Sequence, residues 1–216
     1  YQGDDVSEKL KTLAQANDTK NFPNVAQIVC SGIPSAINYE QLVKVEDLYK
    51  EGQDITVAQE DLDEHAVRAV SYDGEMIAMP FNASSILLYY NKTMFEEAGL
   101  DPENPPATIA EMADACSKLV EKDGDNVTRY GLNVAVRRYQ FVNWIGGDYN
   151  FVGDNEGGRA GMMTKLTCDE DGTLDKFLTE WEKVIKSGGY KPTEDNINEE
   201  FAMQLFGMAV MSSARI

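Results

Sequence analysis

The sequence predicts an α/β fold. Two amphipathic helices, one opening at Thr108 and one spanning Leu174 to Lys186, are separated by a strand-like run from Tyr130 to Val136. Two further apolar runs, Ile86–Asn91 and Met208–Met211, flank them, and strands alternating with helices are the pattern of an α/β architecture. The composition agrees: 43% hydrophobic and 26% charged residues over 216 positions is ordinary globular content, enough for one large domain or two small ones.

Taken in order, Ser7 to Ala16 reads as a short helix with Leu10, Leu13 and Ala14 on one side. Asn24 to Val29 alternates like a strand, and Cys30-Ser31-Gly32-Ile33-Pro34 reads as the loop after it. Tyr39 to Tyr49 has helical spacing through Leu42, Val45, Leu48 and Tyr49, and Gly52 stops it. Tyr72-Asp73-Gly74-Glu75 predicts a β-hairpin, because an Asp-Gly pair tolerates the left-handed backbone of a tight turn. Pro80 confines what precedes it to an edge or a turn. The run Ile86–Asn91 has no polar alternation, so a strand covered on both faces is expected.

Three prolines between Asp101 and Pro106 predict an exposed connector near a boundary between two units. Thr108 and Glu111 then form a capping box, followed by the stripe Ile109, Met112, Ala113, Cys116, Leu119 and Val120, predicting a helix over 108–122. Leu174, Phe177, Leu178, Trp181, Val184 and Ile185 make the face of the second helix, which Gly188-Gly189 ends. Glu199 to Phe206 is helical, and Ser212-Ser213-Ala214-Arg215 follows the last strand.

Charge and motifs narrow the function. Nineteen basic and 37 acidic residues give a net charge of −18. So acidic a surface repels nucleic-acid backbones and anionic membrane surfaces, and no apolar run is long enough to span a bilayer. No signal peptide is recognised, and the chain opens on Tyr1. Cys30, Cys116 and Cys168 with the single histidine, His65, cannot assemble the usual zinc sets, and no disulfide, metal or other cofactor is expected. Cys116, on the stripe, reads as a packed thiol. A nucleophile elbow and a phosphate loop are both absent, and Cys30 with His65 has no third group to support it as a catalytic pair. Asp169-Glu170-Asp171-Gly172 lacks the calcium-loop acids at Thr167 and Leu178, so it reads as a turn before the second helix. With 37 acids, a carboxylate pair for sugar hydrolysis stays open as a rival reading.

Three stretches carry a family resemblance: Met79-Pro80-Phe81-Asn82-Ala83-Ser84-Ser85, Leu88-Tyr89-Tyr90-Asn91-Lys92, and Ala98-Gly99-Leu100-Asp101-Pro102 with Pro105-Pro106-Ala107-Thr108. In these the chain resembles the family 1 extracellular solute-binding proteins of ABC importers, which carry sugars and glycerol phosphates. The resemblance implies a periplasmic-binding-protein-like fold of two α/β lobes joined by crossing strands, a solute held between them, and no catalysis. It implies an ABC permease as partner, a monomer, and an extracellular or periplasmic location with a lipid anchor upstream of Tyr1. Members are longer, so it also implies a fragment: residues 1–91 as part of the N-terminal lobe, left incomplete, and 92–216 as most of the C-terminal lobe.

Polyol ligands need planar or hydroxyl hydrogen-bonding groups and an aromatic plate, presented where strands end. Asn82 and Ser84 precede the long apolar strand, Ser31 follows the first strand and Ser213 the last. Arg137, Arg138 and Tyr139 follow the strand 130–136, with Trp144 beyond. An arginine fork there would suit an anionic substituent, and Trp144 reads either as a sugar platform or as core. The predicted ligand-binding set is Ser31, Asn82, Ser84, Arg138, Tyr139, Trp144 and Ser213. Glycerol-phosphate binders resembling this chain place a glutamate where it has Cys30-Ser31 and a tryptophan-rich loop where it has Arg137-Arg138-Tyr139. A carbohydrate is therefore the expected ligand.

Overall fold

The computed structural model describes residues 4–52, 56–135, 142, 144–145, 152–158, 160–191 and 196–215. The chain divides into two compact units, residues 1–83 with 154–164 and residues 84–153 with 165–216.

In the first unit, α1 (Asp4–Gln15) buries Leu10 and Leu13, as the periodicity requires. A short 3-10 turn, Cys30–Gly32, runs into α2 (Ile33–Ala36), where Pro34 occupies the first turn that tolerates a missing N–H. After α3 (Val45–Lys50) and α4 (Glu64–Ala69), β1 (Ser71–Tyr72) and β2 (Glu75–Met76) form the expected hairpin. Its turn residues Asp73 and Gly74 have φ of 52° and 78°, the left-handed geometry that the Asp-Gly pair announced.

Two elements predicted in this unit come out differently. Asn24 to Val29 opens on a bend and pairs with no strand among the described residues, and Val25 is 89% exposed. A β-strand exists only through its neighbour's hydrogen bonds, so alternation without a neighbour yields coil. The helix expected over 39–49 shrinks to 45–50, because the N–H groups of Asn38, Tyr39 and Leu42 close turns back onto Ser35, Ala36 and Tyr39 instead.

The second unit is built on one sheet. It comprises β3 (Ile86–Tyr90), β4 (Glu121–Asp123), β5 (Asn126–Val134), β6 (Tyr190–Lys191) and β7 (Phe206–Ser212), with path β3-β7-β5-β4 and β6 also on β5. β7 runs antiparallel to β3 and parallel to β5, and β6 is parallel to β5. The helices are α5 (Lys92–Glu97), α6 (Ile109–Leu119), α7 (Thr173–Lys186) and α8 (Ile197–Ala202). Leu132, Val134, Met208 and Val210 pack with α5, α6 and α7 on one face, and Ala209 and Met211 pack with α8 on the other.

The capping box forms as read: Thr108 Oγ1 accepts from the Glu111 N–H, and Glu111 Oε2 accepts from the Thr108 N–H at 3.1 Å. Its helix stops at Leu119 because Glu121–Asp123 turns out as β4 and hairpins onto β5. Glycines let this helix lie close to the sheet. A Cβ on Gly131 would stand 2.2 Å, and one on Gly189 2.6 Å, from the Cys116 carbonyl oxygen. One expectation needs correction. Ile86 and Leu87 are 36% and 42% exposed, so β3 is not covered on both faces; it lies at the end of the sheet path and, among the described residues, pairs with β7 alone. The segment 101–106 is the largely exposed connector expected, linking α5 to α6, with Tyr90 Oη donating to the Pro102 carbonyl at 2.7 Å.

Candidate functional site

Within the first unit, Asn82 lies exposed in the coil that follows β2. Its Oδ1 accepts from Gln27 Nε2 at 3.2 Å, joining it to the segment 24–29. Ser31 is exposed in the turn at the end of that segment, where helical geometry begins at once because Pro34 presets it. The fold thus brings together two side-chain amides from segments 55 residues apart in sequence.

Within the second unit, the start of β3 meets the end of β7. Ile86 pairs with Ser212, and beyond that pair the Ser213 N–H donates to the Ser85 carbonyl at 2.8 Å. The Ser85 N–H donates to Ser213 Oγ at 3.1 Å. Ser213 is half-buried by this clamp, while Ser84 beside it is exposed. Four serines, 84, 85, 212 and 213, therefore share one end of the sheet. Neutral hydroxyls that donate and accept suit a hydroxyl-bearing ligand more than an isolated charge.

Trp144 sits against the first core cluster, edge-on to Trp181 with ring centroids 5.5 Å apart and planes at 67°. Trp181 in turn stacks on Phe177 and meets Tyr190 edge-on. Of the two readings of Trp144, the structure gives it core neighbours and leaves it half-buried. Arg137, Arg138 and Tyr139 lie outside the described residues. Gln27, Ser85 and Ser212 were not singled out as site residues. Gln27 carried a signal, a polar side chain inside an apolar alternation; the partner serines became visible only with the β3–β7 register.

Elsewhere the chemistry is structural. The Asp171 carboxylate accepts from the Thr173 N–H at 2.9 Å, and bonds to Thr173 hold it below its usual range, so it shapes the turn before α7. Burial pushes the Cys116 thiol up to about 11, although the Ser187 hydroxyl donates to its Sγ at 3.2 Å. All three cysteines are free, Cys30 exposed and the others buried. Among the described residues no three His, Cys, Asp or Glu side chains cluster to hold a metal, and no helix is long and apolar enough to cross a membrane. Two open hollows, of about 470 Å³ around Lys11, Asn17, Tyr39 and Gln41 and about 510 Å³ around Leu100, Asp101, Asn104 and Glu111, contain none of the predicted site residues.

A family model for bacterial extracellular solute-binding protein matches residues 1–216. The chain belongs to this family. An sn-glycerol-3-phosphate-binding periplasmic protein, UgpB, of Agrobacterium fabrum is 31% identical over 171 residues, 75% of this chain and 37% of that protein. The Escherichia coli protein of the same name is 33% identical over 120 residues, 55% of this chain and 27% of its own length. Two solved structures share the fold at a TM-score of 0.72. One is UgpB from Mycobacterium tuberculosis in complex with glycerophosphocholine, 21% identical, with 98% of this chain and 51% of that one covered. The other is an ABC substrate-binding protein from Listeria monocytogenes in complex with cycloalternan, 19% identical, with 97% and 51% covered. The chain thus spans about half of these two-lobed binding proteins and about a third of the Agrobacterium relative. Its mixed α/β fold is theirs.

Proposed function

We propose that this chain is part of a solute receptor that delivers a carbohydrate, or a related polyol or sugar phosphate, to an ABC importer without catalysis. The observation that carries this reading is the family match over the whole chain together with a mixed α/β fold shared with solute-binding proteins. The serine edge of the second unit and the Asn82–Gln27 amides of the first add hydrogen-bonding groups of the kind that hydroxyl-rich solutes need. The glycosidase reading receives no support from the comparisons.

The working step is lobe closure. A ligand drives it by binding the closed state more tightly than the open one, and moving from mostly open to mostly closed needs about 5.5 kcal/mol of that difference. Several hydrogen bonds and one aromatic stack supply this range. The receptor acts outside the cytoplasmic membrane as a monomer, lipid-anchored through a segment ahead of Tyr1, and hands its solute to the permease. Residues 1–91 belong to the N-terminal lobe and 92–216 to most of the C-terminal lobe. Ser31, Asn82, Ser84, Arg138, Tyr139, Trp144 and Ser213 contact the ligand.

A thermal-shift screen of the native-length receptor against maltose, mannobiose, tagatose, glycerol 3-phosphate and glycerophosphocholine tests this. A true ligand at about 100 times its dissociation constant stabilises the protein by roughly 2.7 kcal/mol and is recovered uncleaved. With that ligand, Asn82→Ala weakens binding by about 1–3 kcal/mol in calorimetry. Unchanged affinity removes Asn82 from the site, and cleavage of an oligosaccharide probe sinks the receptor reading.

A further inference from the structure

Asn82 sits in a stretch of chain with little to hold it. From Ala78 to Ser84 the backbone belongs to no helix or strand, and among the described residues none of its N–H or C=O groups finds a partner. Pro80 has no N–H to give. One side-chain bond tethers the stretch to the described residues: Gln27 Nε2 donates to Asn82 Oδ1 at 3.2 Å. The segment that carries Gln27 is anchored in its turn. Half-buried Ile28 lies against Gly32, where an added Cβ would stand 3.6 Å from Ile28 Cδ1 and 3.3 Å from Ser7 Oγ of α1. The Gly32 N–H closes that turn on the Val29 carbonyl at 2.8 Å.

The direction of the Gln27–Asn82 bond decides what Asn82 can offer. An asparagine amide carries one acceptor oxygen and, on the other side of its carbonyl carbon, an NH2 with two donor hydrogens. With Gln27 as donor, the oxygen turns toward residue 27, and the NH2, bonded to nothing among the described residues, turns away from it. We infer that Gln27 is a positioning residue of the proposed solute site: it holds the Asn82 side chain so that Nδ2 donates to an acceptor oxygen of the solute. Gln27 has this role only where the receptor reading holds and Asn82 touches the solute, and it adds a selection rule to that reading. At this point the site reads an acceptor rather than a donor. A side chain ordered before binding does not lose its rotamer freedom when the solute arrives, which raises affinity by about two- to tenfold. Both amides are exposed, so little folding stability depends on their bond.

Two measurements on the native-length receptor decide it. In NMR relaxation of the empty protein, the Asn82 side-chain NH2 is ordered, and Gln27→Leu frees it while the urea midpoint stays where it was. In calorimetry against the five solutes of the thermal-shift screen, Gln27→Leu weakens binding about two- to tenfold. Gln27→Glu weakens it further, by about 5- to 150-fold, because a carboxylate only accepts. Asn82 then donates Nδ2 to the new carboxylate and turns its own oxygen on the acceptor atom of the solute. An Asn82 amide as mobile in the wild type as in Gln27→Leu overturns the inference and leaves the receptor reading standing. So does unchanged affinity in Gln27→Leu, or a Gln27→Glu receptor that binds as well as Gln27→Leu or better. A wild-type receptor that binds none of the five solutes is the separate failure of the receptor reading, and the role of Gln27 falls with it.

Discussion

The sheet of the second unit is covered on both faces, by α5, α6 and α7 on one side and α8 on the other, so Leu119, Leu132, Val184, Phe206 and Met208 are 0% exposed. The first unit has a two-stranded hairpin and short helices, and there Val25, Val43 and Phe81 stand 89%, 63% and 82% exposed. Both units carry apolar patterns of similar strength. The difference lies in pairing: β7 has a strand on either side, whereas Asn24–Val29 has none among the described residues. An apolar pattern is a demand for burial, and the demand is met only where another element arrives to cover it.

The largest expected effect breaks or upholds this contrast directly. Leu119 is enclosed between α6 and the sheet, its Cδ atoms 3.0 Å from where a Cβ on Gly207 would stand. Leu119→Ala should cost about 2–5 kcal/mol in urea unfolding. Leu13→Ala in the first unit should cost clearly less, since its surroundings can collapse onto the gap. Equal losses would show the two interiors to be equally packed.

Thiol chemistry separates the units next. Cys30 is exposed in the first unit, whereas Cys116 is buried in the second with a thiol raised from 9.0 to about 11. At neutral pH that shift alone leaves Cys116 roughly a hundredfold less thiolate. One thiol per folded chain should react quickly with a disulfide reagent and all three after unfolding. The same raised value makes a pH statement: the stability Cys116 contributes is full below about 9 and is lost as pH rises toward about 11.

A smaller effect belongs to the cap of α6. Thr108→Ala should cost about 1 kcal/mol, read as a shift of the urea midpoint at constant slope. Bonds from the Ala107 and Thr108 N–H groups hold the Glu111 carboxylate below its ordinary 4.5. Its contribution is therefore present above that value and fades as pH falls through the lowered one, so the capping loss should shrink in acid. The smallest effect is a gain. Gln204 ends α8 with φ of 62°, a conformation that favours glycine, and Gln204→Gly should add about 0.5–1 kcal/mol.

What the sequence determined by itself was whatever is local. Asp73-Gly74 dictates its turn because few other pairs accept two left-handed residues, and Thr108 with Glu111 dictates a helix start because their side chains bond the first N–H groups. The stripe on α6 names its buried face, Cys116 included, whereas on α7 Phe177 and Val184 are buried but Leu178 and Ile185 stand 52% exposed. The resemblance at residues 79–92 and 98–108 reached the family for the same reason, since it is written in contiguous residues. Only the tertiary structure decided that Asn24–Val29 is not a strand, that Ile86 and Leu87 are partly exposed, and that Ser85 bonds Ser213 across 128 residues. It alone brought Gln27 to Asn82. Those outcomes depend on which strand lies beside which, and hydrogen bonds between distant segments are fixed by register, which no short window of sequence contains.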